Sequence, residues 1–264
     1  MRKSFVEPEL IEYSTFDQRK IPAFYYRAKS ESNQRSPVII HIHGGPESQV
    51  QAAFNPLFHY WANELKISVL APNVRGSNGY GKSYLMMDNG RKREDSVKDI
   101  GKLLDWIGTR PELDPERVAV WGQSYGGYMV LASMTHFNDR LRCAADIYGI
   151  SNFVTFLEST EKYRRDLRRA EYGDEQNPEM RKFLQQISPL NNAQRISKPL
   201  LVIQGKNDPR VPLSESEQFV KAIRKNGGVA WYIMFKDEGH GVKKKVNRDF
   251  YYNAASLFLQ SYLK

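Results

Sequence analysis

The chain reads as an α/β protein with a mostly parallel sheet of about eight strands and helices on both faces. Two observations point that way. From about residue 37 onward, apolar β-rich runs alternate with stretches of helical periodicity. Most of those runs are continuously apolar rather than alternating, as strands covered on both faces are. Strands separated by helices imply right-handed crossovers, and so a parallel sheet.

Residues 9–27, "ELIEYSTFDQRKIPAFYYR", read as a hairpin, so that residues 1–30 supply antiparallel strands at one sheet edge. Its turn holds Asp17-Gln18, where a glycine would be easier if a positive φ is needed. The strands that follow are expected at 37–43, 67–72, 117–121, 143–149, 199–205 and 229–235. In 95–109, Val97, Ile100, Leu103, Leu104 and Ile107 form one apolar stripe with lysines and aspartates opposite. Ser214 and Glu217 make a capping-box pattern before a helix over 215–226, and Gly227 is its stop. The last helix, 247–263, is expected to bury Phe250, Tyr251, Ala254, Leu257 and Phe258. The interval 150–196 breaks the rhythm, is rich in charge and aromatics, and reads as a helical excursion over the strand ends. With no repeat, linker or low-complexity tract, residues 1–264 read as one domain.

Composition narrows the function class. No apolar stretch approaches the roughly 20 residues that span a bilayer, and Arg2 and Lys3 have no apolar run behind them to make a secretory signal. The single Cys143 excludes an intramolecular disulfide and a thiolate metal cluster, and a reducing, cytoplasmic setting fits it. The formal net charge is +9, but its clusters, "RKR" at 91–93, "RR" at 164–165 and 168–169 and "KKK" at 243–245, are short and scattered. None is interleaved with stacking aromatics, so they read as solvated surface rather than a nucleic-acid site.

The stretch "VAVWGQSYGGYMVLAS" carries the chemistry. Gly122-Gln123-Ser124-Tyr125-Gly126 fills the G-x-S-x-G pattern between a strand and a helix, which displays the serine at a sharp turn. The first amides of the following helix are unsatisfied and face the same way, ready to bind an oxyanion. Such a serine needs a base, and the base an orienting acid, in the chain order serine, acid, histidine. His41 and His43 lie on an early strand, His59 in the next helix and His136 at the end of the nucleophile helix. His240 alone follows a late strand, in "KDEGHG". Asp208, just past the strand "PLLVIQG", is the expected acid. Asp146 falls inside a strand, and Asp237 and Glu238 stand too close to His240 in the chain. "HIHGGP" ends a strand with two glycines, the expected place for an oxyanion donor from Gly45, with Gly44 next to it; the second is the Tyr125 amide. A metal on His41 and His43 lacks a third ligand at workable spacing, and no cofactor is needed.

With these residues assembled, "HIHGGP", "NVRGSNGYG", "WGQSYGGYM", "GKNDPRVP" and "DEGHG", all in family order, the chain resembles the catalytic domain of the prolyl oligopeptidase family of serine peptidases. It is most similar to the acylaminoacyl-peptidase-like and dipeptidyl-peptidase-like branches. The resemblance implies an α/β-hydrolase fold, with Ser124 as nucleophile, His240 as general acid/base, Asp208 as its partner, and Tyr125 and Gly45 as oxyanion donors. It also implies that Arg210 binds a substrate carbonyl, where a surface ion pair is the other reading, and that Phe153 stands near the acyl pocket, where plain core is the other reading. The chain departs from the family in lacking a β-propeller, and in carrying Gln18 where glycine is common. It therefore reads as either a free-standing hydrolase or an excised catalytic domain.

The activity expected is acyl transfer to water from small peptides or esters, with a short-chain carboxylesterase as the main alternative and a non-catalytic binding protein on the same scaffold as the remote one. Assembly into homo-oligomers would fit a family that restricts access that way. Lys243, Lys244 and Lys245, close behind His240, are expected to bias the mouth toward acidic substrates.

Overall fold

The computed structural model describes residues 5–29 and 34–264, so Arg2 and Lys3 of the N-terminal reading lie outside the described residues. Its strands are β1 (Glu9–Ser14), β2 (Lys20–Tyr26), β3 (Ser36–Ile42), β4 (Ser68–Pro72), β5 (Leu113–Gln123), β6 (Cys143–Ile147), β7 (Leu200–Gly205) and β8 (Ala230–Phe235). They form one sheet in the order β1-β2-β4-β3-β5-β6-β7-β8. The first hairpin is antiparallel and β2 pairs antiparallel with β4, while every pair from β3–β4 to β7–β8 is parallel. The hairpin thus forms one edge, as expected. Its turn does require a left-handed residue, and Gln18 takes it at φ +63°.

Nine α-helices are described: α1 (Pro56–Asn63), α2 (Lys82–Leu85), α3 (Asp95–Gly108), α4 (Tyr125–Phe137), α5 (Phe153–Ser159), α6 (Lys162–Tyr172), α7 (Pro178–Ile187), α8 (Leu213–Lys225) and α9 (Lys245–Tyr262). Because side chains alternate along a strand, each strand feeds two cores. Val118 and Val120 of β5 pack with Ile100, Leu104, Met129 and Phe219 on one face. Ala119 and Trp121 pack with Phe58, Trp61, Tyr251 and Phe258 on the other. The stripe read on α3 is the buried one.

Two helix readings change. Along α9 the buried side is Tyr251, Ala255, Phe258 and Leu259, while Phe250 and Leu257 stand exposed, because the helix is rotated by about one position from the pattern expected. The helix α8 starts at Leu213 after Pro212, which places Ser214 inside it with no side-chain cap. Pro212, unable to donate a backbone hydrogen bond, sets the start instead. Glu215, one residue on, is fully buried and accepts hydrogen bonds from the Ser151 and Asn152 amides at 3.0 and 2.8 Å.

Asp146 on β6 is a buried acid directly beneath α4. A Cβ at Gly127 or Gly149 would lie 2.3 or 2.2 Å from its Oδ1, so the missing side chains make its room. Burial pushes its pKa up to about 7, with the Gly149 amide opposing and Glu215 reinforcing. The unfolded group ionises near 4. The stability contributed by the protonated form is therefore complete below about pH 4 and is lost as pH rises through 7. Asp146→Asn removes that dependence: relative to the variant, the wild type should lose roughly 4 kcal/mol between acid and pH 8. Melting temperatures of the two proteins across that range check it, and parallel curves would contradict it.

Candidate active site

The site lies at the C-terminal ends of the strands. After β5 the chain turns so sharply into α4 that Ser124 sits at φ +58°, ψ −121°, a conformation L-residues rarely hold. Two backbone contacts impose it. A Cβ on Gly122 would come within 2.3 Å of the Gly126 carbonyl oxygen, and one on Gly126 within 2.2 Å of the Ile42 carbonyl oxygen. No other residue type fits either place. The Ser124 amide is anchored to the Ile147 carbonyl at 2.9 Å, and the Ser124 carbonyl accepts the Tyr128 amide at 3.1 Å.

Asp208 and His240 meet from separate loops. His240 Nδ1 lies 2.7 Å from Asp208 Oδ2. A carboxylate only accepts, so the proton belongs on Nδ1 and Nε2 is left with a free lone pair. Asp208 is itself held: its Oδ1 accepts the Arg210 and Val211 amides at 2.8 and 3.0 Å, and Gln204 Nε2 donates to Oδ2 at 3.4 Å. The loops are joined through backbone, with Lys206 N donating to Phe235 O at 2.8 Å and Asn207 N to Glu238 O at 2.9 Å. Gly205 lets them approach, since a Cβ there would stand 2.2 Å from Gly239 O. Asp237 and Glu238 do not serve the histidine. Glu238 accepts the Lys243 and Lys244 amides at 3.1 and 2.9 Å and so shapes the loop.

Ser124, His240, Gly45 and Arg210 line one open cavity of about 600 Å³. The exposed Arg210 side chain has no ion pair among the described residues. Phe153 is fully buried against Tyr128 and Tyr172, at ring distances of 4.6 and 5.0 Å, and does not line this cavity. The structure thus places it in the core rather than at a substrate wall. Lys243, Lys244 and Lys245 do not line it either; Lys244 pairs with Asp237 at 2.7 Å, and Lys245 pairs with Asp249.

Several contributors were not anticipated. Tyr148, at φ +45°, lays its ring 4.6 Å from that of His240 and donates its hydroxyl to Gln123 at 2.8 Å. Burial, with Asp208 adding to it, pushes its phenol up to about 12. His43 donates from Nδ1 to the Gly44 carbonyl at 2.7 Å, which braces the glycine loop. A buried polar network ties the two proposed oxyanion walls together. Arg168 on α6 donates to the Gly45 carbonyl at 3.3 Å and pairs with Glu171. Arg93 donates to the Glu171 carbonyl at 2.9 Å, to the Tyr125 hydroxyl at 3.2 Å and to Asp88. Burial pushes the Glu171 carboxyl up to about 7 against the pull of Arg168 and Arg93. Gln204 had left a trace in the sequence, because a polar residue ending an apolar strand needs a buried partner.

A model of the prolyl oligopeptidase family matches residues 53–264. The chain is 36% identical over 230 residues to dipeptidyl peptidase family member 6 of Caenorhabditis elegans, covering 86% of this chain and 31% of that protein. It is 34% identical over 214 residues to dipeptidyl aminopeptidase BIII of Pseudoxanthomonas mexicana, covering 80% and 31%. Acylaminoacyl peptidase from Pyrococcus horikoshii superposes with a TM-score of 0.91 at 25% identity, over 100% of this chain and 42% of that one. A puromycin-hydrolyzing peptidase from Mycobacterium tuberculosis superposes at 0.92 with 27% identity, over 98% and 39%. The chain spans about a third of the length of the curated relatives it matches.

The close approach at Gly205 is testable without turnover. Gly205→Ala should push the two loops apart and abolish the downfield Nδ1 proton signal of His240 in proton NMR. Gly239→Ala, whose Cβ would meet only Asn207 O at 3.4 Å, should keep it. Retention of the signal in both variants would show that backbone contact does not set the Asp208–His240 distance.

Proposed function

The chain belongs to the prolyl oligopeptidase family of serine peptidases and has the α/β-hydrolase fold, and from that premise we propose that it hydrolyses amide and ester bonds with Ser124, His240 and Asp208 as a catalytic triad. One observation carries the reading: a serine held at positive φ and a histidine held 2.7 Å from a buried aspartate open onto the same cavity.

In the proposed cycle, Ser124 Oγ attacks the carbonyl carbon and His240 Nε2 takes its proton. The tetrahedral oxyanion accepts hydrogen bonds from the Tyr125 amide, at the first residue of α4, and from the Gly45 amide. The acyl–nitrogen or acyl–oxygen bond then breaks, and the leaving amine or alcohol departs with the proton from His240. Water, deprotonated by the same ring, releases the acyl group and restores Ser124. Asp208 orients the imidazole and stabilises its charged form.

Substrates on this reading are small peptides, N-blocked amino acids and short-chain esters. Esters are expected to turn over more readily, since expulsion of an alcohol oxygen depends less on protonation than expulsion of an amide nitrogen. Arg210 supports binding of a substrate carbonyl or carboxylate, because it faces the cavity unpaired among the described residues. No described helix is long and apolar enough to cross a membrane. Burial pushes the Cys143 thiol up to about 12, so it remains an unreactive core residue in the proposed cytoplasmic setting.

The test compares p-nitrophenyl butyrate with alanine, phenylalanine and proline p-nitroanilides, blocked and free. Ser124→Ala should abolish turnover of all of them and also covalent labelling by a fluorophosphonate. Asp208→Asn should lower kcat by about 10⁴ while the fold persists. Ester turnover by Ser124→Ala at a comparable rate would place the chemistry elsewhere.

A further inference from the structure

The cavity continues well beyond the proposed triad. Besides Ser124 and His240 it is lined by Tyr148 and Gln123 and by an aromatic alcove of Tyr26, Phe58, His41 and Phe54. Tyr26 and Phe58 are fully buried with rings 5.1 Å apart, and the His41 ring stands 4.7 Å from Phe58. Phe54 is 63% exposed, yet its ring is fixed by stacking on His59 at 4.7 Å and by an edge contact to Phe5 at 5.3 Å.

We infer that this alcove is the subsite for the leaving half of the substrate and takes an aromatic side chain there. The inference rests on the triad reading and adds a substrate class to it. Three observations carry it. First, Tyr148, whose ring packs against His240, lines the same cavity as Tyr26 and Phe58 and shares their apolar cluster, and the leaving group departs from beside the ring that protonates it. Second, Tyr125, Tyr128, Phe153 and Tyr172 belong to the other apolar cluster, pack on one another, and do not line the cavity, as Tyr26 and Phe58 do. A large group on the leaving residue has its room on the alcove side. Third, the floor is uncharged. Burial, reinforced by His43, holds the His41 pKa down to about 4, so the imidazole is neutral near pH 7. The cavity's other lining is polar and includes Arg210, so the uncharged aromatic residues of the alcove are the part that favours a ring over a charged group, with edge-to-face packing like that of Phe58 on Tyr26 available to it. The volume of about 600 Å³ is of the size that houses a small ligand, not an acyl carbonyl alone.

The test reads binding without turnover. Ser124→Ala is titrated, by calorimetry or NMR shifts, with acetyl-Ala-Phe-amide, acetyl-Ala-Ala-amide and acetyl-Phe-Ala-amide. Acetyl-Ala-Phe-amide is expected to bind about tenfold more tightly than either of the others. Adding Phe54→Ala, which removes the rim, or Ala53→Trp, which fills the space, should reduce that advantage to less than about twofold. Both positions are exposed, so neither change threatens the fold. Equal affinity for all three peptides, no measurable binding at millimolar concentration, or an advantage that survives both substitutions would overturn the inference. An advantage for acetyl-Phe-Ala-amide instead would overturn the assignment to the leaving half. Hydrolysis by the wild-type enzyme is scored separately: its absence would count against the triad reading, whereas the peptide affinities judge the alcove.

Discussion

The architecture of the site depends on one steric constraint, the contact of backbone with backbone at the turn from β5 into α4. The end of β3 passes so close to α4 that its carbonyls occupy the space a side chain on Gly126 would need. That approach brings the glycine loop after β3 beside Ser124, with a Cβ on Gly44 only 3.4 Å from that of the serine. The strain of a serine at φ +58° is sustained because the parallel pairing of β3, β5 and β6 over-determines the strand ends. Everything else at the site is fitted around that contact.

The remaining parts are held by two different kinds of interaction. On the acid and histidine side, parallel neighbours β7 and β8 end in loops stitched by main-chain hydrogen bonds, and Asp208 is seated by backbone amides. On the proposed oxyanion side, the glycine loop and Tyr125 are braced by long side chains, chiefly Arg93 and Arg168, that reach them from distant segments. Each arginine has an acidic partner, but the pairing is incomplete: Arg93 Nε, Arg168 Nε, Asp88 Oδ1 and Glu171 Oε1 have no hydrogen-bond partner among the described residues, and incomplete pairing of buried charge is costly.

Much of this was legible in the sequence, for reasons that differ by element. The parallel strands announce themselves because burial on both faces requires continuous apolar runs, and α3 because its stripe is complete. Ser124, Asp208 and His240 stand out because the pattern of glycine, strand and helix around each is local. What could not be read depends on distance. Tyr148 acts through a ring contact across two loops, and nothing in "DIYGIS" marks its left-handed backbone. Arg93 and Arg168 look like surface charge in a basic chain, and only the fold shows them buried or half-buried among tyrosines. The rotation of α9 and the start of α8 turn on packing and on Pro212, where periodicity alone is off by a residue or two. The lysines after His240 misled for the same reason, since proximity in the chain does not bring them to the cavity.

The division between main-chain stitching and side-chain bracing has a consequence for how the protein would lose competence. Main-chain hydrogen bonds between parallel strands do not titrate, whereas the Glu171 carboxyl, which burial pushes up to about 7, does. On the proposed reading, mild acid should loosen the Gly45 and Tyr125 side before His240 leaves Asp208. On the proposed mechanism, a molecule in that intermediate condition would keep a Ser124 that still reacts with small electrophiles while no longer stabilising the transition state of an amide. If Ser124 has its proposed role, reactivity and turnover would be separable, and the first would outlast the second.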